Sequence, residues 1–305
     1  MSLRPTTHAR LRMAGFIAAS MAFAIAALAQ EAMPESNLAA SLRDRYATLS
    51  EQLEQSPIQR GLYLESAEAS RASQGDVYAV VNYPFAIISD SFTRPENWCE
   101  ALILHLNVKY CHATARDERP GLSVAIGKKT EQPLSETHRI EFTYEVTASG
   151  PDYARIVLGA RKGPLGTRNY NISLELIELG SEQSFLHIRY AYSYGLMARF
   201  AMRVYLATSG SAKVGFTMID SEKGRPPHLI GGVRGALERN TMRYYLAIDA
   251  YLGALATPAP ERFEESLERW FTTTERYALQ LHEVDHDAYL TMKRQEYLRQ
   301  RQMPP

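Results

Sequence analysis

Apolar and polar positions along the chain fall into two alternating regimes. From Asn37 to Gln55, Leu38, Leu42, Tyr46, Leu49 and Leu53 recur three or four residues apart, which predicts an amphipathic helix ended by Pro57. Leu62–Ala67 and Asp76–Tyr83 then read as strands, and residues 86–106 as helix broken at Pro95, near Thr93 and Arg94. Strands resume at 108–113 and 122–127. In the next one Ile140, Phe142, Tyr144 and Val146 alternate with Glu141, Thr143 and Glu145. Tyr153–Gly159 and Tyr170–Leu179 follow. Phe185–Tyr194 sets Leu186, Ile188, Tyr190, Tyr192 and Tyr194 on one face and His187, Arg189, Ala191 and Ser193 on the other. Leu196–Leu206, with Arg199 and Arg203 four apart, suits a short amphipathic helix, and Lys213–Ile219 a last strand before a Gly/Pro-rich loop. A long helix is predicted from Val233 to Leu255, with Val233, Leu237, Tyr244, Ile248, Tyr251 and Leu255 along one stripe. Pro258 and Pro260 end it, and a charged helical tail runs from Glu261.

The first 29 residues have a different pattern. Arg4, Arg10 and Arg12 precede an apolar run from Ala14 to Ala29 that closes on Ala27-Leu28-Ala29. This predicts a signal peptide cleaved after Ala29 and a periplasmic destination. The run is short and rich in Ala, whereas a membrane-spanning helix needs about 20 strongly apolar residues. Without those three arginines the 34 basic side chains fall to 31 against 34 acidic ones. Such a balance gives no reason to expect nucleic acid as a partner. In an oxidising compartment Cys99 and Cys111 are expected to pair, because the helix-then-strand segment between them turns back on itself.

The order of elements is strand, two short helices, a run of antiparallel strands and one long C-terminal helix. Together with GDVYAVVNYPF, leading into the paired helices, and IGGVRGALERNTMRYYLAIDAYL near the end, it resembles the helix-grip architecture of START-type lipid-binding domains in a periplasmic bacterial version. The resemblance implies an α+β fold in which a curved antiparallel sheet wraps a long helix, with extra N- and C-terminal helices. It divides the chain into the signal peptide (1–29), an N-terminal helical segment (30–56), a START-like domain (57–257) and a charged helical tail (258–305). It also implies a cavity for a hydrophobic ligand or lipid, lined by Phe142, Tyr144, Leu186, Ile188, Tyr190 and Tyr192 from the strands and by Asn240 and Tyr244 from the helix. Periodicity alone is satisfied equally by a solid core. Leu196–Leu206 would then be a lid or a transient membrane contact.

Other chemistry is weighed against this reading. His282-Glu283-Val284-Asp285-His286 matches a zinc-protease string, in which two histidines on one helical face hold the metal and the glutamate acts as base. It lacks a third ligand and is read as chance placement on a solvated helix, so no metal is expected. There is no nucleophile elbow, phosphate loop or dinucleotide fingerprint, and no cofactor is expected. An enzyme using the same cavity would need ionisable groups inside it, with Arg155, Arg189 and Glu145 as candidates. A third alternative is an interaction module built on the Asn37–Gln55 helix and the tail.

Overall fold

The computed structural model describes residues 35–116, 118–195, 213–219 and 226–302. The segment read as a signal peptide and the Leu196–Leu206 helix lie outside the described residues. Eight strands form one antiparallel sheet: β1 (Leu62–Glu68), β2 (Ala72–Val81), β3 (Val108–Arg116), β4 (Arg119–Ile126), β5 (His138–Ser149), β6 (Tyr153–Lys162), β7 (Thr167–Gly180) and β8 (Gln183–Tyr194). Their spatial order is β1-β2-β8-β7-β6-β5-β4-β3, so β2 and β3 are separated by the whole sheet and the last strand returns beside β2.

Helices α1 (Glu35–Thr48) and α2 (Ser50–Glu54) precede the sheet, and α3 (Phe85–Phe92) and α4 (Pro95–Leu102) carry the chain from β2 to β3. Arg94 is extended and Pro95 opens α4, where its missing N–H costs nothing. A disulfide joins Cys99 of α4 to Cys111 of β3, with Cα atoms 5.1 Å apart. The long helix α5 (Gly232–Gly253) lies against the inner face of the sheet, and this strand order gripping one long helix is the helix-grip fold.

A row of paired residues crosses five strands under α5: Tyr144, Leu158, Ile172, Tyr190 and Gly75. Gly75 ends the row because α5 sits directly on it. A Cβ there would run into the Thr241 hydroxyl and meet Leu237 at 3.2 Å. One turn away, the fully buried Glu238 accepts hydrogen bonds from Ser66 Oγ, the Phe216 and Thr217 N–H groups and Thr217 Oγ1, at 2.6–2.9 Å. A buried carboxylate is tolerated only when its lone pairs are filled in this way. These bonds tie β1 and the 213–219 segment to the long helix.

Three expectations change. Val146 does not continue the inward alternation of β5. A bulge between Val146 and Ala148 shifts the register, and Val146 is 39% exposed. The expected strand 213–219 reduces to β9 (Met218–Ile219), paired with β10 (His228–Leu229) inside the Gly/Pro-rich loop. The tail is not a solvated helix. It forms α6 (Arg262–Glu275), α7 (Ala278–Leu281) and α8 (His286–Gln302), and Leu267, Trp270, Leu281, Tyr289, Leu290 and Met292 join the same apolar core as the sheet.

Candidate functional site

Between α5, the start of β3 and the inner faces of β4–β8 the side chains leave a cavity of about 100 Å³. Phe142, Leu158, Tyr170, Ile172 and Tyr190 form its sheet wall, and Asn240 and Tyr244 its helix wall. Leu102, Asn107, Val108, Val124, Ile126, Ile140 and Pro164 complete it. The aromatic rings fix one another. The Tyr190 ring lies 6.1 Å from Tyr170 edge-on and 5.3 Å from Tyr244. Burial pushes the hydroxyls of Tyr170, Tyr190 and Tyr244 above the usual tyrosine range, so they stay neutral.

The cavity has a polar end. Asn240 lines it beside His105, a fully buried ring stacked on Tyr244 at 4.5 Å. Burial, together with the charges of Arg243, Lys293 and Lys129, holds His105 neutral, its pKa well below the usual value. Its Nδ1 accepts the Asn107 N–H at 3.1 Å, so the proton sits on Nε2. The result is a mostly apolar, aromatic-walled space lined by two carboxamides, Asn107 and Asn240, and three phenols. No Asp, Glu, Lys, Arg or His is among the described residues that line it.

Phe142, Tyr190, Asn240 and Tyr244, expected at the cavity, line it; four others expected there do not. Tyr144 lies three strands from Tyr190 in the same row and spends its hydroxyl on the Phe92 carbonyl at 2.6 Å. Leu186 and Ile188 are buried opposite Ala79 and Val77 and belong to the solid part of the core. Tyr192 stacks on the far side of Tyr170 at 5.5 Å. Tyr170, Ile172 and Leu158 were missed, although the alternation of β6 and β7 already put them on the Tyr190 side.

The residues expected to serve an enzyme lie elsewhere. Glu145 is exposed. Arg155 and Arg189 are on the outer face of the sheet, in a polar cluster flanked by α1. There His187 Nε2 is 2.8 Å from Asp76 and its Nδ1 3.1 Å from Glu175. Arg189 pairs with Asp76 at 2.9 Å and Arg155 with Glu175 at 3.2 Å. The His187 ring stacks on Tyr78 at 4.3 Å, and the Arg45 guanidinium of α1 lies over the same Tyr78 ring, 4.8 Å from its centroid. Burial disfavours a charged imidazole here, but Asp76 and Glu175 outweigh it and raise the pKa of His187.

The zinc-protease string is not helical. Helix α7 stops at Leu281, His282 is extended, and α8 starts at His286. His282 contacts Glu275 at 3.0 Å and His286 contacts Glu268 at 2.8 Å. Glu283 is held by Lys129 at 2.5 Å and the buried Arg243 at 2.8 Å. Burial opposes its charge, yet these cations keep its pKa below the usual carboxylate range, so the carboxylate is engaged in structural ion pairs. Among the described residues no group of His, Cys, Asp and Glu is arranged to hold a metal ion.

No protein-family model matches the sequence. No curated protein matches it either. Solved structures similar to it include a START superfamily protein from Mycobacterium smegmatis, 13% identical over 40% of this chain and 78% of that one, with a TM-score of 0.31. Norcoclaurine synthase from Thalictrum flavum is 12% identical over 50% of this chain and 89% of that one, TM-score 0.32. The Zhui aromatase/cyclase from Streptomyces sp. R1128 is 6% identical over 71% of this chain and 96% of that one, TM-score 0.31. Likenesses this distant leave the assignment to the chain's own sheet order and long helix, which are those of a helix-grip fold.

Proposed function

We propose that this is an exported protein that binds a small hydrophobic molecule in the cavity between α5 and the sheet. The observation that carries the reading is the cavity itself: about 100 Å³, walled by Phe142, Tyr170, Tyr190 and Tyr244, with Asn240 at its polar end. An apolar cavity of about 150 Å³ stays dry and takes up benzene, whereas pockets for drug-sized ligands are about 300–1,000 Å³. The space therefore suits roughly one aromatic ring or a short branched chain carrying a hydrogen-bonding group. A lipid chain needs the wall to move. Each methylene transferred from water contributes about 0.8 kcal/mol, and the buried phenols and Asn240 select orientation.

The described lining holds no Asp, Glu, Lys, Arg or His, and burial keeps its tyrosines neutral, which supports binding, as carrier or sensor, over acid–base chemistry at this site. The test is mass spectrometry of an organic extract of protein purified from a periplasmic fraction without detergent. A small aromatic or branched species at one per chain is expected. An empty extract, and no uptake of small aromatic probes afterwards, contradicts the reading.

A further inference from the structure

The hairpin joining β6 to β7 carries three unfavourable features within a few residues. Leu165 is 82% exposed, the most exposed of the large apolar side chains among the described residues. It also sits in the left-handed region, with φ 55° and ψ 30°, inside a 3-10 turn (Pro164–Gly166). That conformation is strained for a branched residue, and glycine would take it freely. Beside it Lys162 and Arg168 are direct cross-strand partners. Like charges facing each other this way are destabilising. Arg161 adjoins them, and all three cations are exposed. No acidic residue occurs between Gly159 and Tyr170, and none of the three cations forms an ion pair with a described residue. A lone exposed leucine needs no explanation. A strained one, ringed by uncompensated positive charge, does.

The tip is also part of the cavity wall. Pro164 lines the cavity. Thr167 Oγ1 donates to the Pro164 carbonyl at 2.5 Å and accepts from the Tyr170 hydroxyl at 2.8 Å. Gly163 lies so close beneath the Tyr170 ring that a Cβ there would collide with it.

We propose that this hairpin is a membrane-docking tip: Leu165 enters the interface of a bilayer with anionic headgroups, and Arg161, Lys162 and Arg168 pair with those headgroups. Both costs are then recovered on docking, because the apolar side chain leaves water and the facing cations gain counter-charge. Docking sets the Pro164 side of the cavity against the lipid surface. The proposal does not depend on which ligand the cavity takes, and its readout is lipid binding alone.

The experiment is flotation of the Gln30–Pro305 form, which retains the whole compact unit from Glu35, with phosphatidylcholine vesicles with and without phosphatidylglycerol. Two variants are designed not to harm the fold. Leu165→Gly relieves the left-handed strain, and Lys162→Glu turns the facing cations into an ion pair. Wild type should float with anionic vesicles only. Leu165→Gly should bind about tenfold more weakly or less, from the lost apolar transfer. Lys162→Glu, a change of two charges, should bind roughly thirtyfold more weakly. Both should keep or raise the wild-type thermal midpoint. No wild-type flotation, equal binding to neutral vesicles, or undiminished binding by Leu165→Gly would overturn the proposal. Lysate proteins bound through the tip without any vesicle binding would also overturn it, pointing to a protein partner.

Discussion

Replacing Glu296 by glutamine should cost about 3–5 kcal/mol at neutral pH, the usual cost of removing one partner from a buried ion pair. Glu296 belongs to α8 and is almost completely buried, with one oxygen 2.9 Å from Lys109 of β3 and the other 2.7 Å from Lys293. Both lysines are fully buried. Lys293 also donates to the carbonyls of His105 and Val108, at 2.7 and 2.8 Å, so it staples the last helix onto the start of β3. Among the described residues, Lys109 has just the Met292 sulfur besides Glu296, at 3.2 Å. Burial pulls the pKa of Lys293 down to about 8, Lys109 pulls the same way, and Glu296 holds it up. The amide keeps the volume and removes that support. Two buried ammonium groups then face each other without a counter-charge.

The sign of the pH dependence follows. Lys293 has a folded pKa below its unfolded value of about 10.4. The stability linked to this group is present above the unfolded value and lost as pH falls through the folded one, near 8. Without Glu296 the folded value drops further, so relief by deprotonation begins at lower pH. The deficit of the variant should be largest at pH 7 and shrink by pH 9. Urea unfolding followed by the fluorescence of the buried Trp98 and Trp270 measures it. A variant within about 1 kcal/mol of wild type at pH 7, or a deficit that grows with pH, refutes the reasoning.

Further substitutions test other joints of the fold. Gly75→Ala should lose about 1–3 kcal/mol through its collision with Thr241, and Thr241→Ala in the same chain should return most of it in the same unfolding assay. Reducing the Cys99–Cys111 disulfide, which closes a 12-residue separation, should lower stability by about 3 kcal/mol, read as the shift in unfolding midpoint with and without reductant. Burial opposes the charge on His187 but Asp76 and Glu175 raise its pKa. Its contribution is therefore complete below about pH 6.5 and is lost as pH rises through the higher folded value. His187→Gln should flatten the stability profile above that point, and a wild-type profile flat across the same window would exclude the ion pairing.

Local patterns carried far for the strands and the long helix, because period-2 and period-3.6 alternation are properties of neighbouring residues. The β8 alternation placed Tyr190 inward and His187 and Arg189 outward, and the structure keeps both faces. The same alternation, extended to Arg155 on β6, would have removed it and Arg189 from the interior. It failed at Val146 because a bulge depends on the partner strand. The HEVDH segment reads as helix by composition, yet Glu283 is drawn out of helix geometry by Arg243, Lys129 and Lys213, from distant parts of the chain. In the tail the spacing Leu267, Trp270, Phe271 and Thr274 is visible in the sequence, but its many charges masked the buried stripe. Nothing local announces the Lys109–Glu296–Lys293 group, whose members are joined only by the packing of α8 on β3. Of the cavity residues, Phe142 and Tyr190 follow from strand alternation and Tyr244 from the helix stripe, while Asn240 came only with the family resemblance. The others depend on which inward side chains meet α5 and which stop short of it.

The most direct test of a ligand-binding cavity is calorimetric titration of the extracted protein with a small aromatic probe, comparing wild type with Ile172→Phe, which fills the space beside Tyr190. Saturable one-to-one binding with a negative heat-capacity change is expected for wild type, and its loss in a variant that remains folded. No binding by wild type, or equal binding by both proteins, would mean that the space between α5 and the sheet is core and not a site.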